Sequence, residues 1–138
     1  MKITSLFLIL LLAAGIRLNA QVNEVDLNFA LAQLKTNGLF PFAKILYADN
    51  QESAKQTVDQ LGPLLRASGD YAGFEILSRR NLTKRVERLV IVLNFDNFPI
   101  YMRIDYYDNS KQKICLPAKF SREAAEILPF DLISATGK

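Results

Sequence analysis

Tyr101, Arg103, Asp105 and Tyr107 fall at every second position. That spacing sets all four side chains on one face of a β-strand. A carboxylate beside two phenols can move a proton if a cavity raises its pKa. A guanidinium in the same row can instead clamp a small anionic ligand through paired hydrogen bonds. The plainer reading is a solvated or dimer-facing strand surface, in which Arg103 neutralises Asp105.

A second set of candidates follows a different logic. Arg79, Arg80, Lys84, Arg85 and Arg88 are five cations within ten residues, with Glu87 the one acid among them. Such a run can meet an anionic lipid head group, a cell-wall polymer or an acidic envelope protein. It can equally be an exposed hairpin turn kept solvated by charge. Nucleic-acid readers add aromatic or helical reading elements, and none accompanies this run, so no nucleic acid is expected as a partner. Asn81-Leu82-Thr83 also matches the N-glycosylation pattern. A third set, Phe29, Phe40, Phe42, Tyr47, Phe74, Phe95, Phe98 and Phe120, reads chiefly as core, with some members free to line a pocket.

The missing residue types narrow the chemistry. The chain has no His, which removes Ser-His-Asp and Cys-His catalysis and the commonest zinc sites. Its single cysteine, Cys115, cannot form an internal disulfide. Lying in Ile114-Cys115-Leu116, it reads as a small buried hydrophobe. There is no glycine-rich phosphate loop, no calcium loop and no internal repeat. No cofactor and no metal is therefore expected, and no catalytic residue can be named.

The elements that position these residues change character midway. Val25, Phe29 and Ala32, thickened by Leu27, Leu31 and Leu34, predict a helix over about 23–36, stopped at Asn37-Gly38. A short helix should begin near Pro41 and end near Ala48. Asp49 with Glu52 suggests a capping box for a third helix, with a kink or end at Gly62-Pro63. After the break at Ser68-Gly69-Asp70 the pattern becomes β. A first strand spans Ala72 to Leu77, and Arg79 to Arg85 forms the turn. Val86 to Phe95 is apolar without interruption from Leu89 to Leu93, as in a central strand buried on both faces. Phe98 to Tyr107 is a third strand and Gln112 to Ala118 a fourth, with Pro117 marking an edge or bulge. Ser121 can cap a last helix over 122–128, and 134–138 reads as a disordered tail. This is an α+β layout, with N-terminal helices packed on a curved antiparallel sheet.

Residues 1–20 read as a cleavable secretory signal. Lys2 precedes an uncharged apolar run from Leu6 to Ile16, and Ala20 suits cleavage. The run is shorter than the roughly 20 residues a transmembrane anchor needs. No Cys follows it to carry a lipid. Removing 20 of 138 residues leaves 118, and the formal charge falls from +3 to +1, because Lys2 and Arg17 leave with the signal. The remainder, 21–133, fits one domain.

The layout resembles the nuclear-transport-factor-2-like superfamily, also called the ketosteroid-isomerase-like cone fold, and within it small exported bacterial members. The resemblance is carried by Leu27–Leu34, the second helix, Leu61-Gly62-Pro63, Tyr71–Ile76, Leu89–Phe95, Tyr101–Tyr107 and Ile114–Phe120, about residues 23–120. It implies a cone with a pocket between sheet and helices, often dimerising through the sheet. The superfamily's enzymes use an Asp base with Tyr or Asp oxyanion donors, but none of their catalytic motifs matches this chain residue by residue. The expectation is an exported, non-catalytic binding domain for a small apolar or anionic ligand or a protein partner, able to form a homodimer, with periplasmic or extracellular residence. One alternative is a pocket enzyme of isomerase or dehydratase type using Asp105 and a Tyr. The other is an envelope-interaction protein acting through the basic hairpin 79–88.

Overall fold

The computed structural model describes residues 27–48, 50–129 and 131–132. The expected signal at 1–20, the tail at 134–138 and the capping residue Asp49 lie outside the described residues.

Helix α1 is described over 27–36, α2 is Leu39–Tyr47 and α3 is Gln51–Leu65. Each turns one apolar face inward: Leu27, Ala30, Leu31 and Leu34 from α1, Phe42, Ala43, Leu46 and Tyr47 from α2, Ala54 and Leu61 from α3. Phe42 has no exposed surface, and truncating such a side chain to Ala costs about 3–5 kcal/mol. Phe29 and Phe40, expected in the core, are 55% and 65% exposed. They sit on the outer faces of their helices, where the helical period leaves them. The α3 cap is one residue later than the sequence suggests: Asn50 accepts from the Ser53 backbone N–H at 3.0 Å. The helix also runs through Pro63 to Leu65 rather than ending there. Gly62 explains this, since it has no Cβ for the proline ring to strike.

Five strands form one antiparallel sheet: β1 (Tyr71–Asn81), β2 (Val86–Phe95), β3 (Ile100–Asp108), β4 (Lys113–Cys115) and β5 (Lys119–Ser121). The first three make a meander in the order β1-β2-β3. β1 is longer than expected, so the turn shrinks to the residues after Asn81, where Thr83 Oγ1 accepts the backbone N–H groups of Arg85 and Val86. Register shifts at Tyr71/Gly73 and Ile76/Ser78 bulge β1, and Ile76 beside the second is 44% exposed. Leu89 to Leu93 are all buried, as a two-sided strand requires. Leu89, Ile91, Leu93, Ile100, Met102 and Ile104 meet the helices in one core.

The expected fourth strand is two pieces. β4 pairs with Tyr106–Asp108 and β5 with Tyr101–Arg103, both along the same edge of β3. Pro117 has no N–H to give to the ladder. The next N–H, that of Ala118, turns inward and donates to the Tyr47 hydroxyl at 2.8 Å. Thr57 Oγ1 hydrogen-bonds the same hydroxyl at 2.7 Å. One phenol thus ties α2, α3 and the β4–β5 joint together. The helix expected over 122–128 is a single turn, α4 (Ala124–Ile127). Ser121 Oγ accepts the Glu123 N–H and donates to Glu126 Oε2 at 2.6 Å.

Candidate functional site

Tyr101, Arg103, Asp105 and Tyr107 do share one face of β3, the face turned away from α1–α3. Ile100, Met102, Ile104 and Tyr106 take the other. The four are half-buried. Register then joins them to part of the basic run. Arg80, Arg88 and Asp105 stand in one row across β1, β2 and β3, and Ser78, Val90, Arg103 and Lys119 in the next.

The partner of Asp105 is Arg88, not Arg103. Arg88 Nε and Nη2 donate to the two carboxylate oxygens, both at 2.7 Å. Arg88 is directly opposite Asp105 in the ladder, whereas Arg103 faces Val90. The Arg88 hydrogen bonds hold the Asp105 carboxyl below its ordinary value against partial desolvation, with the charges of Arg88, Arg103 and Lys119 helping. A carboxylate held this way is a poor general base at neutral pH.

The five cations of the hairpin do not form one patch. Arg79 lies on the helix side, where it and Lys113 both pair with Glu87. Arg80 pairs with Asp131 and Arg88 with Asp105. Lys84 and Arg85 are exposed in the turn. The bulges and the strand alternation that split the run between two faces are invisible in a count of charges.

A second site escapes that count altogether. A cleft of about 290 Å³ opens between the ends of α1 and α2 and the β3–β4 edge. Leu27, Ile45, Leu46 and Ile114 supply apolar walls, and Tyr47, Tyr106 and Cys115, with Asn50, Gln112 and Lys113, make the rest of the lining polar. Tyr106 is held on the sheet's inner face opposite Cys115. Its hydroxyl makes no hydrogen bond among the described residues. Burial pushes its pKa up, with Cys115 and Glu87 adding to the effect. Burial likewise raises Tyr47 and pushes the Cys115 thiol up to about 12. These three groups keep their protons at neutral pH. The sequence offers Tyr47 as a pocket-lining aromatic and places Tyr106 opposite the Asp105 face, but it does not bring the two together, because the far wall comes from α2.

Among the described residues there is no cluster of His, Cys, Asp or Glu able to hold a metal ion, and no helix is long and apolar enough to cross a membrane. The chain matches no family model, no curated protein and no solved structure.

Proposed function

We propose that the chain is an exported, non-catalytic binding domain of the cone-fold kind, which holds a small ligand with both apolar and polar groups in the cleft between its helices and its sheet. The carrying observation is the cleft at Tyr106: apolar side chains interleaved with polar ones around a hydroxyl that makes no hydrogen bond among the described residues, keeps its proton and can donate to a ligand acceptor. Such a lining suits recognition. Proton transfer near neutral pH is disfavoured, because the tyrosines and the thiol at the cleft are shifted upward and Asp105, on the opposite face, downward. The kinship with the cone fold is supported by α1–α3 covering one face of a curved meander with a cleft between the layers.

Native mass spectrometry of the protein purified from its own host tests the reading. Extra mass released on denaturation is expected, and it should be lost in Ile45→Trp, which fills the cleft from its rim. A bare polypeptide mass in the unsubstituted protein would refute it. Fractionation of the same cells tests export: the protein should be shortened by its first 20 residues and absent from the cytoplasm.

A further inference from the structure

A groove of about 160 Å³ lies on the other face of the sheet, beneath the C-terminal turn. Its walls divide by chemistry. Leu82, Val90, Ile127, Leu128 and Pro129 are apolar, Ser78, Arg80, Arg88 and Arg103 bring hydrogen-bond donors, and Glu126, already bonded to Ser121 Oγ, brings a carboxylate.

The donors are unequally engaged. Arg80 is committed to Asp131. Arg88 spends Nε and Nη2 on Asp105, which leaves its Nη1. Arg103 makes no hydrogen bond and no ion pair among the described residues, although it is only partly exposed. The Ser78 hydroxyl is also without a hydrogen bond there. Ser78, Val90 and Arg103 are cross-strand neighbours in one row, so the serine and the guanidinium flank a valine that is 1% exposed.

Charge points the same way. Arg80 is paired with Asp131 and Arg88 with Asp105, and Glu126, which also lines the groove, accepts from Ser121 Oγ, so among the described residues Arg103 is the guanidinium of the groove with no carboxylate bonded to it. A half-buried guanidinium with an empty fork beside a dry wall is costly to leave unpaired, and a single carboxylate would match it. A guanidinium fork fits a carboxylate through two parallel N–H···O bonds.

We infer that this groove binds a small monocarboxylate carrying a short apolar chain, with Arg103 clamping the carboxylate, Ser78 and Arg88 Nη1 completing its shell, and Val90, Ile127 and Pro129 covering the chain. The site is on the opposite face of the sheet from the cleft at Tyr106 and stands whether or not that cleft is occupied.

Butanoate is the probe. Titrated into the full mature protein at low ionic strength, it should shift the Arg103 Nε–H NMR resonance and the Val90 and Ile127 methyls in one saturable transition. 1-Butanol, with the same chain and no charge, should leave the Arg103 resonance in place. Arg103→Gln should weaken butanoate at least tenfold, and Arg103→Lys, which keeps the charge but not the fork, should recover only part of that loss. Arg85→Gln, which removes a cation from the turn, should bind as the unsubstituted protein does. Each variant's urea midpoint is measured alongside to show that it is folded. Inorganic phosphate separates the carboxylate from anions at large. Phosphate displacing butanoate at equal or lower concentration would overturn the assignment to a monocarboxylate. No saturable shift in the unsubstituted protein, or equal affinity in folded Arg103→Gln, would overturn the site.

Discussion

Tyr47→Phe removes one oxygen, and the structure assigns that oxygen a large effect. It accepts the Ala118 N–H at 2.8 Å and bonds Thr57 Oγ1 at 2.7 Å. Ala118 is 4% exposed and Thr57 2%, so water cannot replace the lost partner. Leaving a buried polar group unsatisfied costs about 1–3 kcal/mol. Thr57 can turn its hydroxyl elsewhere on α3, but a backbone N–H beside Pro117 cannot. The total should be about 2–3 kcal/mol. With a urea slope of about 1.5 kcal/mol/M, typical of small domains, the midpoint should fall by about 1.5–2 M. Thr57→Val in the Tyr47→Phe background should cost little more, since the shared network is already broken. A midpoint drop below about 0.3 M, equivalent to under 0.5 kcal/mol, would refute the claim that this phenol secures the β4–β5 joint.

The same substitution at Tyr71 should act with the opposite sign. The Tyr71 hydroxyl is buried without a hydrogen-bond partner among the described residues, and burial pushes its pKa up to about 12, so Tyr71→Phe should raise the urea midpoint, by a gain of about 1 kcal/mol. Asp105 has a folded pKa below its unfolded value of about 3.9; its contribution to stability is therefore complete above that value and is lost as pH falls through the folded one. Acid unfolding followed by circular dichroism should show that limb flattened in Arg88→Gln, and a carboxyl carbon titration of Asp105 should move upward in the variant. Cys115 is buried with its thiol near 12, so a thiol reagent at pH 8 should modify it only after urea unfolds the chain. Gly69 holds φ at +79° with Asp96 Cβ only 3.0 Å from where a Cβ would stand; Gly69→Ala should cost about 1–2 kcal/mol in a thermal melt.

Local periodicity carried much of the architecture. The uninterrupted run Leu89–Leu93 announced a strand buried on both sides, and the two-residue period through Tyr101–Tyr107 assigned the faces of β3 correctly. What failed were features set by residues distant in the chain. Which arginine meets Asp105 depends on the β2–β3 register, and sequence proximity favoured Arg103 over Arg88. The division of the fourth strand depends on Tyr47, 71 residues before Ala118. Pro117 warned of an irregularity but did not say where the next N–H would go. Phe29 and Phe40 look like core by residue type, and only the packing of α1 and α2 shows that their faces turn outward. A pocket between sheet and helices was expected from the resemblance alone, but its lining residues were illegible for the same reason, since its walls come from elements far apart in the chain.

The C-terminal turn over the outer face has a consequence for how the chain is made. Ile127, 4% exposed, and the residues after it roof the strip that contains Val90. They follow the meander in the chain and so are synthesised after it, while the meander itself needs only neighbouring strands and short turns. Emerging in order, β1, β2 and β3 can zip together before their roof exists. For that interval the row through Val90 and Val92 is bare and apolar, flanked by Arg80, Arg88 and Arg103. The guanidiniums that later line the groove would then act as gatekeepers, keeping one nascent sheet from stacking on another until the final turn closes over it.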